Sequence, residues 1–568
     1  MRKVIRIDTK TREVSVTPES NEYRALAGRA LTSHFVSQEV VPTCDPLGPE
    51  NKMIFTGMML TGTTFSMANR LSVGCKSPLT GGIKEANVGG TAAPYLAAHG
   101  IKALILENQP SERECNIVVI AADGEVRIEA ANELREAGTY KTVEFLHKKF
   151  GPKVSAIVIG PAGERGYLNS SIMVTEFGTE APCRAAARGG VGAVMGSKGI
   201  KAIIIEKAAA PCKFPYADQD AFKEASQVVV QSILDKRGVF SSSGTVGLLG
   251  ATIPSAMAPY RNFSGGKMNE EELEQFNVGK VLERVRSYGG GTGHACQPGC
   301  LVKCSNIVNN EAGEFLTAAF EYETVELFGP NCLIYDMDVL LKIDRFCDDF
   351  GFDTIELGAS LGVYFESGKM EWGDGAGALA MFESFYAGGS LADDFGMGTQ
   401  RLGEKYGVKN IPAVKGQAMA AYEPRNLKGT GTTYAIATMG ADHTCGPSLS
   451  RADLAPTGKE GQLDFAVSMQ GPIAAADSNA CLFCWAAIMA VGADYAKLIN
   501  AAYGFEWTVG DVIGMGKKAV EAEREFNRLA GITPEQDRLP EFFYTEPSPA
   551  TGSVYDITHE EILEKWHV

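Results

Sequence analysis

The chain has 568 residues, 45% apolar and 21% charged, the profile of a folded globular protein too long for a single hydrophobic core. A formal net charge of −16 speaks against nonspecific nucleic-acid binding, and no uninterrupted apolar run reaches the ~20 residues of a membrane-crossing helix. Thirteen cysteines, with no long apolar stretch in the opening Met1-Arg-Lys-Val-Ile-Arg-Ile-Asp8, point to thiols or metal ligands in a reducing compartment, read as the cytoplasm.

Residues 1–208 predict a β-rich domain. Val4-Ile-Arg-Ile-Asp8, Val14-Ser-Val16 and Ile117-Val-Val-Ile-Ala121 alternate like strands. Ala103-Leu-Ile-Leu-Glu107 and Ala156-Ile-Val-Ile-Gly160 read as buried strands, with helical stretches such as 139–150 between them. The same region holds most of the glycine-rich loops: Leu47-Gly-Pro-Glu-Asn51, Lys76-Ser-Pro-Leu-Thr-Gly-Gly82, Asn87-Val-Gly-Gly90 and the long run from Arg184 through Arg188 to Lys198. Glycine lets backbone N–H groups approach phosphate oxygens, and Arg184, Arg188 and Lys198 add charged donors, so with Arg70 these loops predict an anion cradle. The spacing fits neither the dinucleotide fingerprint nor the P-loop, which disfavours nicotinamide and ATP.

Ala208-Ala-Ala-Pro-Cys-Lys-Phe-Pro215 reads as a linker, after which the period turns helical at Asp220–Lys236 and 270–286. Next comes His294-Ala-Cys296-Gln-Pro-Gly-Cys300-Leu-Val-Lys-Cys304. Three thiols at this spacing on a Gly/Pro turn can close around one face of a metal or iron–sulfur centre, with a fourth supplied by Cys481-Leu-Phe-Cys484. The spacing is not that of a zinc ribbon, and a cubane cluster takes four thiolates. Glu321-Tyr-Glu323-Thr-Val-Glu-Leu-Phe-Gly-Pro-Asn-Cys332 leads into helices over 336–350 and 353–368, and the turn between them, Asp348-Asp-Phe-Gly351-Phe-Asp353, reads on its own as a helix C-cap followed by an Asp N-cap. A third region from about 411 carries Gly440-Ala-Asp-His443-Thr-Cys445, then Asp477-Ser-Asn-Ala-Cys481, a helical tail over 493–530 and a Pro/Glu-rich closing arm.

In this order the motifs resemble the aldehyde ferredoxin oxidoreductase family of tungsten or molybdenum bis-pterin enzymes with one [4Fe-4S] cluster. The resemblance implies an α+β fold: a β-rich base domain (1–208) forming a saddle under two pterins, followed by two mainly α-helical domains (209–410 and 411–568). It implies that Arg70, Asn87, Arg184 and Ala185 stand at the pterin phosphates and their bridging Mg2+. It also implies that Asp348, Asp353 and, more loosely, Asp477 hydrogen-bond the pterin rings, which reverses the capping preference for the first turn.

The family's cluster ligands match Cys296, Cys300, Cys304 and Cys481, with Cys484 the rival for the fourth. The first two are one residue further apart than in the family pattern, and the Asp477–Cys481 motif is one residue shorter. The family's acid–base pair matches Glu323 and His443, with Glu321 an alternative two residues away. Glu-x-x-His, which binds an interface iron in some relatives, occurs at Glu144–His147 and Glu564–His567, both outside the middle domain.

The implied reaction is oxidation of a small aldehyde to a carboxylic acid. A carboxylate deprotonates water or the hydrate, an imidazole donates to the carbonyl oxygen, and electrons leave singly to ferredoxin or an electron-transfer subunit. A homo-oligomeric assembly stays open. The alternatives are an acid or thioester reductase in a complex, for which Cys332 is a candidate metal ligand, a cluster-only electron-transfer subunit, and a structural zinc protein.

Overall fold

The computed structural model describes residues 2–446, 449 and 453–566. The N-terminal region contains two six-stranded mixed sheets. The first runs, edge to edge, Val14–Pro18, Lys3–Asp8, Ile101–Glu107, Met53–Gly57, Leu71–Lys76 and Ile83–Val88. The second runs Arg184–Ala186, Ile172–Val174, Val154–Val158, Ile200–Glu206, Asn116–Ile120 and Val126–Ala130. Alternate residues of both sheets (Ile5, Phe55, Val73 and Leu104 with Ile157, Ile172, Val174 and Ile203) share one fully buried core, so the sheets are held together by apolar burial.

The strands and the helix Thr139–Phe150 lie where the alternation and periodicity predict them. The outer faces are also covered: Gly28–Glu39 packs on the first sheet and Thr139–Phe150 on the second. The last strand of the first sheet and the first of the second lie side by side. Both are edges, so their outer backbone groups are free of ladder bonds and available to a ligand.

Beyond residue 218 the chain is mainly helical. Gln219–Lys236 forms as expected, capped by Asp218, which accepts from the Ala221 amide at 2.9 Å. The predicted helix over 270–286 is instead two, Glu270–Gln275 and Val278–Arg286, because Asn277 accepts from the Lys280 amide and starts a new N-terminus. The helical tail likewise divides into Gly492–Tyr503 and Val509–Leu529, with left-handed Gly504 ending the first.

Between Met337–Phe350 and Thr354–Glu366, Gly351 closes one helix at φ +86° and Asp353 caps the next. This turn docks on the second sheet: the Ser171 amide donates to the Gly351 carbonyl at 2.8 Å. A Cβ on Gly160 would lie 2.2 Å from the Phe350 carbonyl oxygen, so only glycine fits there.

Among the described residues no single helix is long and apolar enough to cross a membrane. Gln462–Asn479 and Leu482–Met489 pass that test only as a pair, which is bent by 109°.

Candidate active site

The neighbouring edge strands form the floor of a cavity. Lys84, Glu85, Ala86 and Asn87 line it from the first sheet, and Ala185, Ala187 and Arg188 from the second. Arg29 and Arg70 add two further cations. Arg70 donates from Nη2 to the Asn87 carbonyl at 3.1 Å and from Nε to the Asn87 side chain, which aims its guanidinium along the floor. Arg188 donates to the Ala441 carbonyl at 2.8 Å, and its Nε is paired with Asp353 Oδ2 at 3.4 Å. Arg184 pairs with Glu176 through Nη2, and its Nε is buried without a hydrogen-bond partner. Buried Arg29, Lys84, Arg184 and Arg188, with half-buried Arg70, suit a ligand rich in oxyanions beside the open strand edges.

The cysteine loop abuts one end of this floor. The Gly90 amide donates to the Cys296 carbonyl at 2.7 Å, and a Cβ on Gly89 would sit 3.2 Å from the Cys296 sulfur, so glycine there permits the close approach. Cys481 lies at the bend between the two helices as the N-cap of Leu482–Met489, its amide donating to the Met67 carbonyl at 3.2 Å. Cys296, Cys300, Cys304 and Cys481 are all buried and act on one another electrostatically, and Cys481, Cys296 and Cys304 all act on Arg70.

A hydrogen bond from Cys300 outweighs burial at Cys296 and, helped by Arg70 and Arg184, brings that thiol down to about 5. Cys300 itself, as the donor, is pushed far up. Cys484 sits inside the helix, its thiol donating to the Cys481 carbonyl at 3.0 Å. Among the described residues no three His, Cys, Asp or Glu side chains are grouped tightly enough to hold a single metal ion. A cubane cluster makes a different demand, one thiolate for each of four irons.

His443 lines the cavity, with Nε2 3.3 Å from Glu323 Oε1. Glu323 is held from the other side by the Ala421 amide at 2.7 Å. Tyr422 stacks obliquely on the imidazole at 5.6 Å. Glu321 points elsewhere, accepting from Thr245 and standing 4.0 Å from Arg184, and burial raises its carboxyl. Glu321 is the extended N-cap of the helix Tyr322–Phe328 and Glu323 lies in its first turn, so the two glutamates face different partners. Burial alone would raise Asp442, but Lys84 at 2.8 Å, Arg188 and His443 hold it far below the usual carboxylate range.

The three motif aspartates are spread around the site. Asp353 caps Thr354–Glu366 through the Ile355 amide at 3.0 Å, as its N-cap reading expects, and pairs with Arg188. Asp348 is buried beside Tyr140 and Arg184, and desolvation with Asp344 raises its carboxyl well above the ordinary range. Asp477 lines the cavity 3.3 Å from Arg29, and burial with Glu85 lifts it to about 8.

Sequence reasoning missed Arg29, Lys84, Glu85, Cys445 and the bracing Glu523. The available signal was a charged residue inside an otherwise small or apolar stretch, as with Arg29 in Ala27-Gly-Arg-Ala-Leu31 and Lys84 after Gly82-Ile83. Of the candidates, Arg70, Asn87, Ala185, Arg188, His443, Asp477 and Cys481 line the cavity, whereas Arg184, Glu323, Asp348, Asp353, Cys296, Cys300, Cys304, Lys198 and Cys332 do not. Lys198 is fully buried and donates to the Gly48 carbonyl at 3.0 Å, a structural tie rather than a cradle donor. Cys332 is fully buried and directs its thiol to the Leu327 carbonyl at 3.2 Å. Glu144 is exposed and pairs with Lys148, whereas His567 lies outside the described residues.

Residues 4–207 match the family description "Aldehyde ferredoxin oxidoreductase, N-terminal domain", and residues 221–567 match "Aldehyde ferredoxin oxidoreductase, domains 2 & 3". The chain is 30% identical to the tungsten-containing aldehyde ferredoxin oxidoreductase of Pyrococcus furiosus, over 99% of this chain and 94% of that one. It is 31% identical to the enzyme of the same description from Thermococcus kodakarensis, over 96% and 91%. Identity falls to 26% with the WOR-like subunit of an aliphatic sulfonate oxidoreductase from Pyrococcus furiosus, over 80% and 75%. In fold it is similar to a chain of the active-site complex BamBC of benzoyl coenzyme A reductase, with a TM-score of 0.81 at 17% identity, covering 100% of this chain and 93% of that one. The chain belongs to the aldehyde ferredoxin oxidoreductase family of oxidoreductases, whose members carry a tungsten-type pterin cofactor.

Proposed function

We propose that this protein oxidises a small aldehyde to the carboxylic acid and passes the electrons through a [4Fe-4S] cluster to ferredoxin or a partner subunit. The carrying observation is the Glu323–His443 pair at 3.3 Å, with His443 on the cavity wall. The residues present fit the family's cofactors on two counts. The orphaned Nε of Arg184 and the cations of the floor suit pterin phosphates. Four buried thiols, with Cys296 and Cys481 each acting on Cys300 and Cys304, supply the donor set a cubane cluster takes.

In this reading Arg70, Asn87, Arg184 and the Ala185 backbone hold the pterin phosphates and a bridging Mg2+. Asp348, Asp353 and Asp477 hold the rings, and Cys296, Cys300, Cys304 and Cys481 hold the cluster. The metal cofactor, when bound, supplies a two-electron acceptor. Glu323 takes a proton from water or the aldehyde hydrate, and His443 donates a hydrogen bond to the substrate oxygen as negative charge builds. Asp442, kept anionic by Lys84 and Arg188, fixes the local charge beside His443.

We divide the chain into a base domain (1–208) and two helical domains (209–410 and 411–568). All thirteen cysteines are free, and we place the protein in the reducing cytoplasm. Metal analysis and EPR of anaerobically purified protein test the reading: about four irons per chain with tungsten or molybdenum are expected, and complete absence of both from well-loaded protein would sink it.

A second reading, an acid or thioester reductase within a complex, draws on a different thiol from the one expected. Cys332 is buried off the site, whereas Cys445 lines the cavity 3.8 Å from Arg29. Aldehyde turnover by the isolated chain would count against it.

A further inference from the structure

The segments that carry the four thiols and pack over them are locally basic, although exposed Asp235 and Glu283 stand just outside them. Segments 236–244, 286–304 and 481–489 contain Lys236, Arg237, Arg286 and Lys303 and no aspartate or glutamate, in a chain with 69 acidic residues and a net charge of −16. The structure joins these segments into one face. Arg237 donates to the Leu301 carbonyl at 3.1 Å, and Ser241 donates to the Val302 carbonyl at 2.6 Å. Arg286 donates to the Ser242 carbonyl at 3.1 Å, and Phe240 packs on Phe483 with ring centres 4.9 Å apart. A Cβ on Gly244 would sit 2.6 Å from the Cys304 carbonyl oxygen, so the short helix Gly238–Ser243 lies directly over the cysteine loop.

The centre of this face is apolar and exposed: Val239 is 52% accessible and Phe483 43%. Phe483 also lines the cavity, so this face and the cavity share a side chain. An apolar centre with a basic rim is the anatomy of a small, transient, electrostatically steered interface.

We propose that this face is the docking site for an acidic, ferredoxin-type one-electron carrier protein, an inference that rests on the functional reading above. Its charge sign selects the occupant. A local basic rim on an acidic protein attracts an acidic carrier only in this orientation, while the −16 elsewhere repels it from unproductive faces. Each encounter passes one electron to the oxidised carrier, with no bond made or broken and no proton moved, so two encounters clear a two-electron oxidation.

The test is a titration of anaerobically purified full-length protein with a purified acidic [4Fe-4S] ferredoxin, giving Kd at 50 and 500 mM NaCl, alongside iron content. The variants are Lys236→Glu/Arg286→Glu and a control of equal charge change at two exposed positions of the helix Thr139–Phe150, Lys141→Glu/Lys148→Glu. Binding should weaken about tenfold with salt and about tenfold in the first variant at low salt, with the control within about twofold of the parent. Equal weakening in both variants, or none in either, overturns the docking site. Iron-free parent protein would overturn the functional reading instead, because binding is read whether or not the cluster is present.

Discussion

His443 Nε2 faces Glu323 Oε1 at 3.3 Å across the join between the middle and last thirds of the chain. Neither side chain is positioned by its own element alone: Glu323 is fixed by the Ala421 amide and His443 packs on Tyr422, so one short segment aligns both. Replacing Glu323 with Gln or His443 with Phe should lower kcat with an aldehyde by about 10²–10⁴-fold while iron and tungsten contents stay at parent level. Glu321→Gln should leave kcat much less affected, because Glu321 faces Arg184. Equal losses in all three variants would contradict the assignment.

Cys481 and Cys484 separate in an iron assay. Cys481 acts on both Cys300 and Cys304, whereas the Cys484 thiol is occupied by the carbonyl one turn back in its own helix. Cys481→Ser should lose most of the ~4 irons of a cubane and its EPR signal, and Cys484→Ser should keep both. The reverse pattern would exchange their roles.

Arg29 is the brace behind Asp477. It is fully buried, 2.7 Å from Glu523 and 3.3 Å from Asp477, while Ser33 and Thr438 also donate to Glu523 at 2.8 and 2.6 Å. Arg29→Leu strands the Glu523 carboxylate in a dry site and should cost about 3–5 kcal/mol in chemical denaturation. Arg29→Leu combined with Glu523→Leu should recover part of that loss, because the uncompensated charge goes with it. No recovery would show that the cost lies in packing.

Glu176 predicts an acid limb of stability. Burial opposes its ionisation, but Arg184 and His294 lower the folded carboxyl from 4.5 to about 2. A group depressed on folding contributes stability that is complete above the unfolded value and lost as pH falls through the folded one. About 3 kcal/mol should therefore disappear between roughly pH 4.5 and 2. In Glu176→Gln, urea denaturation across that window should show a correspondingly flatter pH dependence.

Much of this protein was legible from local patterning. Alternation located the strands, the helix over 139–150 matches Thr139–Phe150, and Cys296, Cys300 and Cys304 declared themselves because their spacing lies within one loop. The ordered motifs carried the family, which rests on short-range backbone demands such as the glycines against Cys296. Choices between residues close in sequence were not legible. Glu321 and Glu323 differ by two positions and Cys481 and Cys484 by three; the first of each pair is an extended N-cap and the second lies in the helix, and the partners of each are set by packing against distant segments. Arg29, Lys84 and Glu523 were invisible for the same reason: a buried charge is recognisable only by its partner, and their partners Asp477, Asp442 and Arg29 arrive from the far end of the chain. The sequence by itself determined the elements and the chemistry available to them, because those follow from spacing along the chain. Only the tertiary structure decided which side chains meet, because burial and charge pairing are properties of three-dimensional neighbours.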